Sequence, residues 1–504
     1  MMIRVTSDYD NYFIHYKVGK LEVFLNCSRE NYTMDVTRSS IRVFGVKVTN
    51  AGVGFLAITY FARELGSEQL GTFFLFQAIL SVLIISTDLG IRGAVEKRIS
   101  EGRQPDRIFG TALLLKTPLW IVTGLAVVFF ETRINAYIGA PLADLLLIAL
   151  FVRDLSELLT FTIRGELRVG ETATLDLSRQ LSWVIVSATL VSLGFGAEGI
   201  VYGLLAGLAV MTIWAGYKLS TGIGMPSFAD AKSLFRYARY AIVLVLGWQI
   251  HNWLDTLIIG WYLGQGPVGL YEVAWRVAGI SLLLTKAISL SVFPKVSSLD
   301  VETQAEEIGS LLQNVITPSV FFVIPALLGA WLLSDPIMRL LFGAEYVAAS
   351  FTLVLLIFGM VLKAVQSIFS QCLEGLDRPN LSMRTTLAAG VVNIVGNLIL
   401  VPLLGIAGAA VATAVSYGIG VQMNTIFLNR YIKIRIPVFE LLWCTGAAMI
   451  MTAILWVVTQ DFQPTSLMEL GGIVAFGGAI YFAVVLSSQQ IRMKIISNFK
   501  RAVL

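Results

Sequence analysis

Residues 65–71 read LGSEQLG and residues 263–269 read LGQGPVG, near-copies 198 positions apart that each follow a long apolar run. Three further matches keep the same order. Thr117-Pro118 answers Thr317-Pro318 at an offset of 200, Gly139-Ala140 answers Gly343-Ala344 at 204, and Gly165 with Arg168 answers Gly375 with Arg378 at 210. Any one match is within reach of chance in a chain rich in Leu and Gly. Offsets that climb in order are what small loop insertions produce in a duplicated unit, and the series is read as a duplication.

Composition says what kind of unit was duplicated. Of 504 residues, 56% are hydrophobic and 14% are charged, and the mean hydropathy is +0.77. Soluble domains carry about 25% charged residues, whereas about 20 apolar residues suffice to span a bilayer as a helix. Runs of that length recur from 41–62 to 466–487, fourteen in all. The alternating pattern of a membrane β-barrel does not dominate. The expected fold is an all-α polytopic membrane protein with about fourteen transmembrane helices. Two pseudo-symmetric six-helix lobes would flank a central cleft, with two C-terminal helices outside the repeat.

Positions divide accordingly: a polar leader (1–35), an N-lobe (36–219), a cytoplasmic linker (220–236), a C-lobe (237–430), and the last two spans with a basic tail (431–504). The leader lacks the apolar core of a signal peptide. It is expected to be a disordered tail or to precede a true start at Met34. Lys and Arg collect in loops of one parity, among them Arg92, Lys97, Arg98, Arg103 and Arg107, and again Arg430, Lys433 and Arg435. By the positive-inside rule, both termini are cytoplasmic in a plasma-membrane protein. Two copies of a six-span unit that enter from the same side are parallel repeats, one of the transporter layouts.

Several function classes drop out. Cys27, Cys372 and Cys444 are scattered, and His15 and His251 are the two histidines, so neither a disulfide framework nor a His-rich metal site is expected. There is no Walker loop, no GxGxxG opening a helix and no HExxH. The loops leave no room for a folded catalytic domain. The expectation is a non-enzyme without cofactor or metal, monomeric, acting on lipids and not on nucleic acid.

The chain resembles the oligosaccharide flippases, the polysaccharide-transport branch of the multidrug/oligosaccharidyl-lipid/polysaccharide exporter superfamily. The resemblance is carried by LGSEQLGTFFLFQAIL, TDLGIRGAVEKRISEG, SVFPKVSSL, LFGAEY and LEGLDRPNLSMRTT in that order, and it covers about residues 36–430. The wording of the second stretch is most similar to archaeal members. The resemblance implies translocation of a lipid-linked oligosaccharide, on a polyprenyl or dolichyl phosphate or diphosphate. The head group would pass through the cleft while the lipid tail stays in the bilayer.

An ionisable residue deep in a span is a functional candidate by default. Arg153 lies mid-span with Glu157 one turn on, and the 210 offset carries Arg153 onto Lys363. Arg and Lys bind phosphates, so Arg153, Lys363 and the mid-span Lys116 are candidate cleft cations. Asp88 maps to Lys286 at the 198 offset, a candidate gate together with Glu157. Trp248, His251, Asn252 and Asp255 share one helix face. With Trp275 and Arg276 they are candidate sugar contacts. The rival readings are a cation-coupled exporter of small amphiphiles, with Asp88 or Asp255 as a Na⁺ or H⁺ site; a peptidoglycan-precursor flippase; and a membrane polymerase or ligase of lipid-linked glycans.

Overall fold

The structure is a computed structural model that describes the backbone of residues 4–8, 11–18, 21–489 and 492. Side chains are described from residue 45 to 492, apart from 47–48, 240–241, 243–251, 302 and 490–491. Three strands, β1 (Arg4–Asp8), β2 (Asn11–Val18) and β3 (Leu21–Ser28), pair as an antiparallel meander. Beyond them the regular structure is helical.

The N-lobe is built from α1 (Arg29–Asp88), α2 (Ile91–Ser100), α3 (Pro105–Phe129), α4 (Glu131–Ile138), α5 (Ala143–Gly165), α6 (Val169–Ser192) and α7 (Gly196–Lys218). The C-lobe follows as α8 (Phe228–Leu263), α9 (Gln265–Ile280), α10 (Leu283–Ser297), α11 (Val301–Val320), α12 (Val323–Phe342), α13 (Ser350–Gly375), α14 (Pro379–Leu404) and α15 (Ile406–Leu428). The last pair, α16 (Val438–Asp461) and α17 (Leu467–Ser487), lies outside the repeat. Local chemistry sets several boundaries. Pro105 and Pro379 sit in the first turns of α3 and α14, where a missing N–H costs nothing. Ser466 accepts from the Glu469 N–H at 3.2 Å while Glu469 accepts from the Thr465 N–H at 2.7 Å, a capping exchange that starts α17.

By length and hydropathy, nine helical stretches can cross a membrane among the described residues, or eleven if each of two bent pairs counts as one. Twelve of the fourteen expected runs fall on a helix or on one arm of a broken one. The expected eighth span is broken between α9 and α10, which meet at 59°. The ninth is broken between α11 and α12, two residues past Pro318, whose ring removes a helix hydrogen bond.

The backbone itself repeats. Gly66 and Gly264 (φ 76° and 84°), Gly139 and Gly343 (85° and 121°), and Leu167 and Asp377 (64° and 58°) are left-handed pairs 198, 204 and 210 residues apart. These are three of the offsets seen in the sequence. Gly66 breaks α1 into two arms and Gly264 separates α8 from α9, turns that need φ values a side chain disfavours.

Packing joins the lobes away from the basic loops, and at the basic face, among the described residues, only the first turns of α8 cross over, where Arg107 of α3 meets Asp230 at 3.1 Å and Arg98 and Arg103 donate to Ser233. Away from the basic loops, one apolar core runs through both, from Phe61, Phe73 and Ile138 of the N-lobe to Val268, Phe342 and Leu353 of the C-lobe. Toward the basic loops the core divides. One part gathers Ile99, Ile108 and Ile163 with Leu234 and Ala238 of α8, and the other gathers Val296, Ile308 and Phe369. Apart from α8, the lobes thus separate toward the basic face and are sealed together at the opposite one.

The segment between the lobes is strapped to the N-lobe. Glu166 Oε1 accepts from the Thr221 N–H and hydroxyl at 2.9 and 2.7 Å, and Asp106 Oδ1 accepts from the Gly222 N–H at 2.7 Å.

Candidate functional site: cations in both lobes

In the N-lobe, α5 carries Arg153 halfway along its length. Arg153 Nε donates to Glu157 Oε1 at 3.2 Å, and Nη1 donates to Ser81 Oγ on α1 at 3.2 Å. The i,i+4 spacing puts acid and base on one face. Glu157 also holds Arg92, whose Nε lies 3.3 Å from Asp88 Oδ2. Beside this group is a cavity of about 280 Å³ bordered by Gln77, Ser81, Arg153, Glu157, Asp176 and Arg179, and closed by Trp253 of α8. Arg179 is near enough to Arg153 for their like charges to interact. Sequence reasoning passed over it. It lies close to the start of its span, and the repeat ruler offers it no charged counterpart.

In the C-lobe, the Lys363 ammonium of α13 lies 4.7 Å from the Tyr417 ring centroid, a cation–π contact. Lys286, exposed on α10 just past the helix break, is close enough for charge repulsion with Lys363. Among the described residues neither lysine makes an ion pair. The N-lobe thus holds Arg153 near Arg179, and the C-lobe holds Lys286 near Lys363.

Lys116 stands in a different setting. It is fully buried, with Nζ 2.9 Å from Asp88 Oδ1 and 2.9 Å from both oxygens of Asp154. Trp120 Nε1 donates to Asp154 Oδ2 at 2.6 Å. Desolvating a lysine is expensive unless carboxylates surround it, and Asp154, absent from the sequence candidates, completes that shell. Asp88 is accordingly tied within its own lobe and does not reach Lys286 in this structure.

A second cavity of about 850 Å³ lies between the α9–α10 break, α12, α16 and α17. Its lining is almost wholly apolar, with Leu284, Phe322, Leu333, Met451, Leu470 and Val474 among the wall residues. The two helices outside the repeat therefore wall a greasy chamber beside the C-lobe.

The sequence profile of the polysaccharide biosynthesis protein family matches residues 60–351, more than half of the chain. The chain belongs to that family. It is 41% identical over 471 residues, 93% of this chain and 100% of the relative, to a Haloferax volcanii protein named probable low-salt glycan biosynthesis flippase Agl15. It is 29% identical over 477 residues, 93% of this chain and 98% of the other, to the same organism's probable flippase AglR. Among solved structures, lipid II flippase MurJ in an inward closed conformation superposes with a TM-score of 0.75 at 18% identity, covering 88% of this chain and 98% of that one. That likeness speaks for the fold.

In this polysaccharide biosynthesis protein the remaining candidates fall into distinct settings. Asp255 turns into the C-lobe interior, 7% exposed, and accepts from Tyr271 at 2.7 Å, Asn397 at 2.8 Å and Thr413 at 2.7 Å. Asn393 and Asn397 bridge helices as hydrogen-bonding amides, since Asn393 Nδ2 donates to Thr413 at 3.0 Å. Trp275 stacks on Tyr271, with ring centroids 6.3 Å apart. Arg276 pairs with Glu272 and lies 4.1 Å from the Phe74 ring centroid of the N-lobe, so its charge joins the lobes. Asn252 is half-buried and has a partner. The side chains of Trp248 and His251 lie outside the described residues.

Proposed function

We propose that this protein carries a lipid-linked oligosaccharide across the plasma membrane, from the cytoplasmic to the outer leaflet, by alternating access of its two lobes. The observation that carries the reading is a core that divides toward the basic face, with a pair of neighbouring cations in each lobe, Arg153 with Arg179 and Lys286 with Lys363. Orientation follows the positive-inside rule, which makes that face, and both termini, cytoplasmic. A phosphate or diphosphate between Arg153 and Lys363 would be held by charge-assisted hydrogen bonds in a site of restricted solvent access. The apolar chamber beside α16 and α17 has the chemistry for the lipid tail, and the glycan would occupy the cleft between the lobes. No chemical bond changes in this scheme, so the protein works as a transporter and as a monomer.

Asp255 supports the coupling of transport to Na⁺ or H⁺. Among the described residues Asp255 accepts only from neutral donors, so there its buried carboxylate lacks a counter-charge. Next to it, Asn397 Oδ1 is buried with no hydrogen-bond partner among the described residues, and such an oxygen suits a hard cation. Cations in both lobes favour this reading over an exporter of cationic amphiphiles.

The test is deletion of the gene in its own host. Lipid-linked oligosaccharide should build up on the cytoplasmic leaflet and surface glycan should fall. Restoration by the wild-type chain but not by Arg153→Ala/Lys363→Ala is the expected result. Normal surface glycan in the deletion strain would refute the proposal.

A further inference from the structure

Duplication gives each residue of one lobe a counterpart in the other, and the walls of the cleft differ where the counterparts differ. The offset that carries Arg153 onto Lys363 carries Glu157 onto Ser367. The Ser367 hydroxyl is hydrogen-bonded to that of Ser289 at 2.8 Å. The N-lobe cation therefore has a carboxylate on it, whereas the C-lobe cation has none among the described residues.

Glu157 is also placed so that it can let go. Its Oε1 takes the Arg153 Nε hydrogen bond at 3.2 Å, and its Oε2 is in contact with Arg92 Nη1. Arg92 is anchored independently of Glu157, by Asp88 at 3.3 Å and over the Phe161 ring at 5.2 Å. A half-buried carboxylate held by a single guanidinium would be left uncompensated on leaving it. One shared between two keeps a partner. Arg153 in turn retains Ser81, and the cavity beside it has space for an incoming group. Deeper in, Asp88 is pinned by Lys116, so the rearrangement need go no further than Glu157 itself.

We infer that Glu157 is a placeholder anion, resting on Arg153 while the cleft is empty and displaced onto Arg92 by the anionic head group of the cargo. The inference rests on the reading of the cleft as a phosphate-binding site. Its consequence is selectivity. An incoming anion must outcompete a carboxylate that is already in place. A diphosphate, with more charge and oxygens that can engage a guanidinium two at a time, does so better than a monoanion. It also sets an order, because Lys286 and Lys363 can receive the anion first and the exchange at Arg153 follows.

The test measures inorganic pyrophosphate and monophosphate binding to the full-length protein in lipid nanodiscs, by calorimetry. Glu157→Gln should tighten monophosphate binding about tenfold and pyrophosphate less, narrowing the gap between them. Ser367→Glu, which places a carboxylate opposite Lys363, should weaken both by a similar factor. Thermal unfolding of each variant identifies any that fails to fold, and either variant alone is enough to decide. If Glu157→Gln binds as wild type does, or Ser367→Glu leaves binding unchanged, the placeholder role is wrong while the phosphate site stands. If neither anion binds wild type or Glu157→Gln, the phosphate site itself is wrong, and the placeholder with it.

Discussion

Gly71 and Gly269 back onto each other's hairpins. A Cβ on Gly71 would fall 1.8 Å from the carbonyl oxygen of Gln265, and one on Gly269 would fall 2.0 Å from the carbonyl oxygen of Ser67. Ser67 and Gln265 are themselves 198 residues apart, so the contact is reciprocal about the axis that relates the lobes. Side-chain bonds cross the same seam. Arg63 Nε donates to the Leu341 carbonyl at 2.9 Å, Gln265 Nε2 donates to the Tyr137 carbonyl at 3.2 Å, and the Ser67 N–H donates to Glu345 Oε1 at 2.7 Å. The two copies of the LG motif thus form the seal of the cleft.

Gly71→Ala should loosen that seal. The added methyl meets backbone, which cannot swing aside as a side chain could, and overpacking of this kind costs about 1–3 kcal/mol. A cysteine replacing Ser67 should react faster with a membrane-impermeant maleimide in the Gly71→Ala background than in the parent. Equal labelling rates would mean that the seam does not limit access.

Lys116→Met should unfold the N-lobe at lower temperature. It leaves Asp88 and Asp154 buried with one of their cations gone, and breaking a buried ion pair from one side costs about 3–5 kcal/mol. Asp88 keeps Arg92, so Asp154 bears most of the loss. A triple change to Met, Asn and Asn at 116, 88 and 154 should recover much of the stability, because it removes the uncompensated charge. Thermal unfolding in detergent reads both effects. A large loss of transport with no thermal shift would instead argue for a transport role for Lys116.

How far the fold could be read without coordinates depended on which signals are local. The duplication was legible because its turns need particular residues. Gly66, Gly264, Gly139 and Gly343 adopt positive φ, and Gly165 and Gly375 abut neighbouring backbone, with a Cβ falling 3.1 Å from the Glu96 carbonyl oxygen and 3.0 Å from that of Phe293. Arg153 and Glu157 were legible because a helix fixes their spacing. The setting of Lys116 was not, since a mid-span lysine looks the same whether it faces a cleft or two aspartates from other helices. Asp255 was misleading for the same reason. Its helix face suggests a sugar contact, and only the packing of α9, α14 and α15 supplies the Tyr271, Asn397 and Thr413 groups that surround it.

The strap at the basic face should weaken in acid. Hydrogen bonds from Arg168 and Lys218 to Glu171, at 2.7 and 2.8 Å, hold its carboxyl down from 4.5 to about 2. A carboxylate whose folded value is depressed contributes stability that is fully present above its unfolded value. That contribution fades as pH falls from about 4.5 toward about 2. The group is exposed, so the effect is about 1 kcal/mol or less. Glu171→Gln should melt slightly below wild type at pH 7, and the two curves should converge near pH 2. A gap that persists there would assign the stabilisation to something other than the charge.

Asp255→Asn should abolish the response to the coupling cation. The carboxylate accepts from Tyr271, Asn397 and Thr413, and an amide in its place presents an N–H to at least one of those donors. A cation that binds only the folded state raises stability by RT ln(1 + [L]/Kd), about 2.7 kcal/mol at a hundredfold excess over Kd. Wild type should therefore melt higher in sodium chloride than in choline chloride at equal ionic strength, and Asp255→Asn should show no difference. If wild type melts identically in the two salts but loses stability on alkalinisation while the variant does not, the carboxyl carries a proton instead. In that case the fold holds the protonated form, and the stability it contributes is present at low pH and lost as pH rises. A wild type that responds to neither sodium nor pH would leave Asp255 a structural knot, and transport would then draw on the charge of its cargo across the membrane potential.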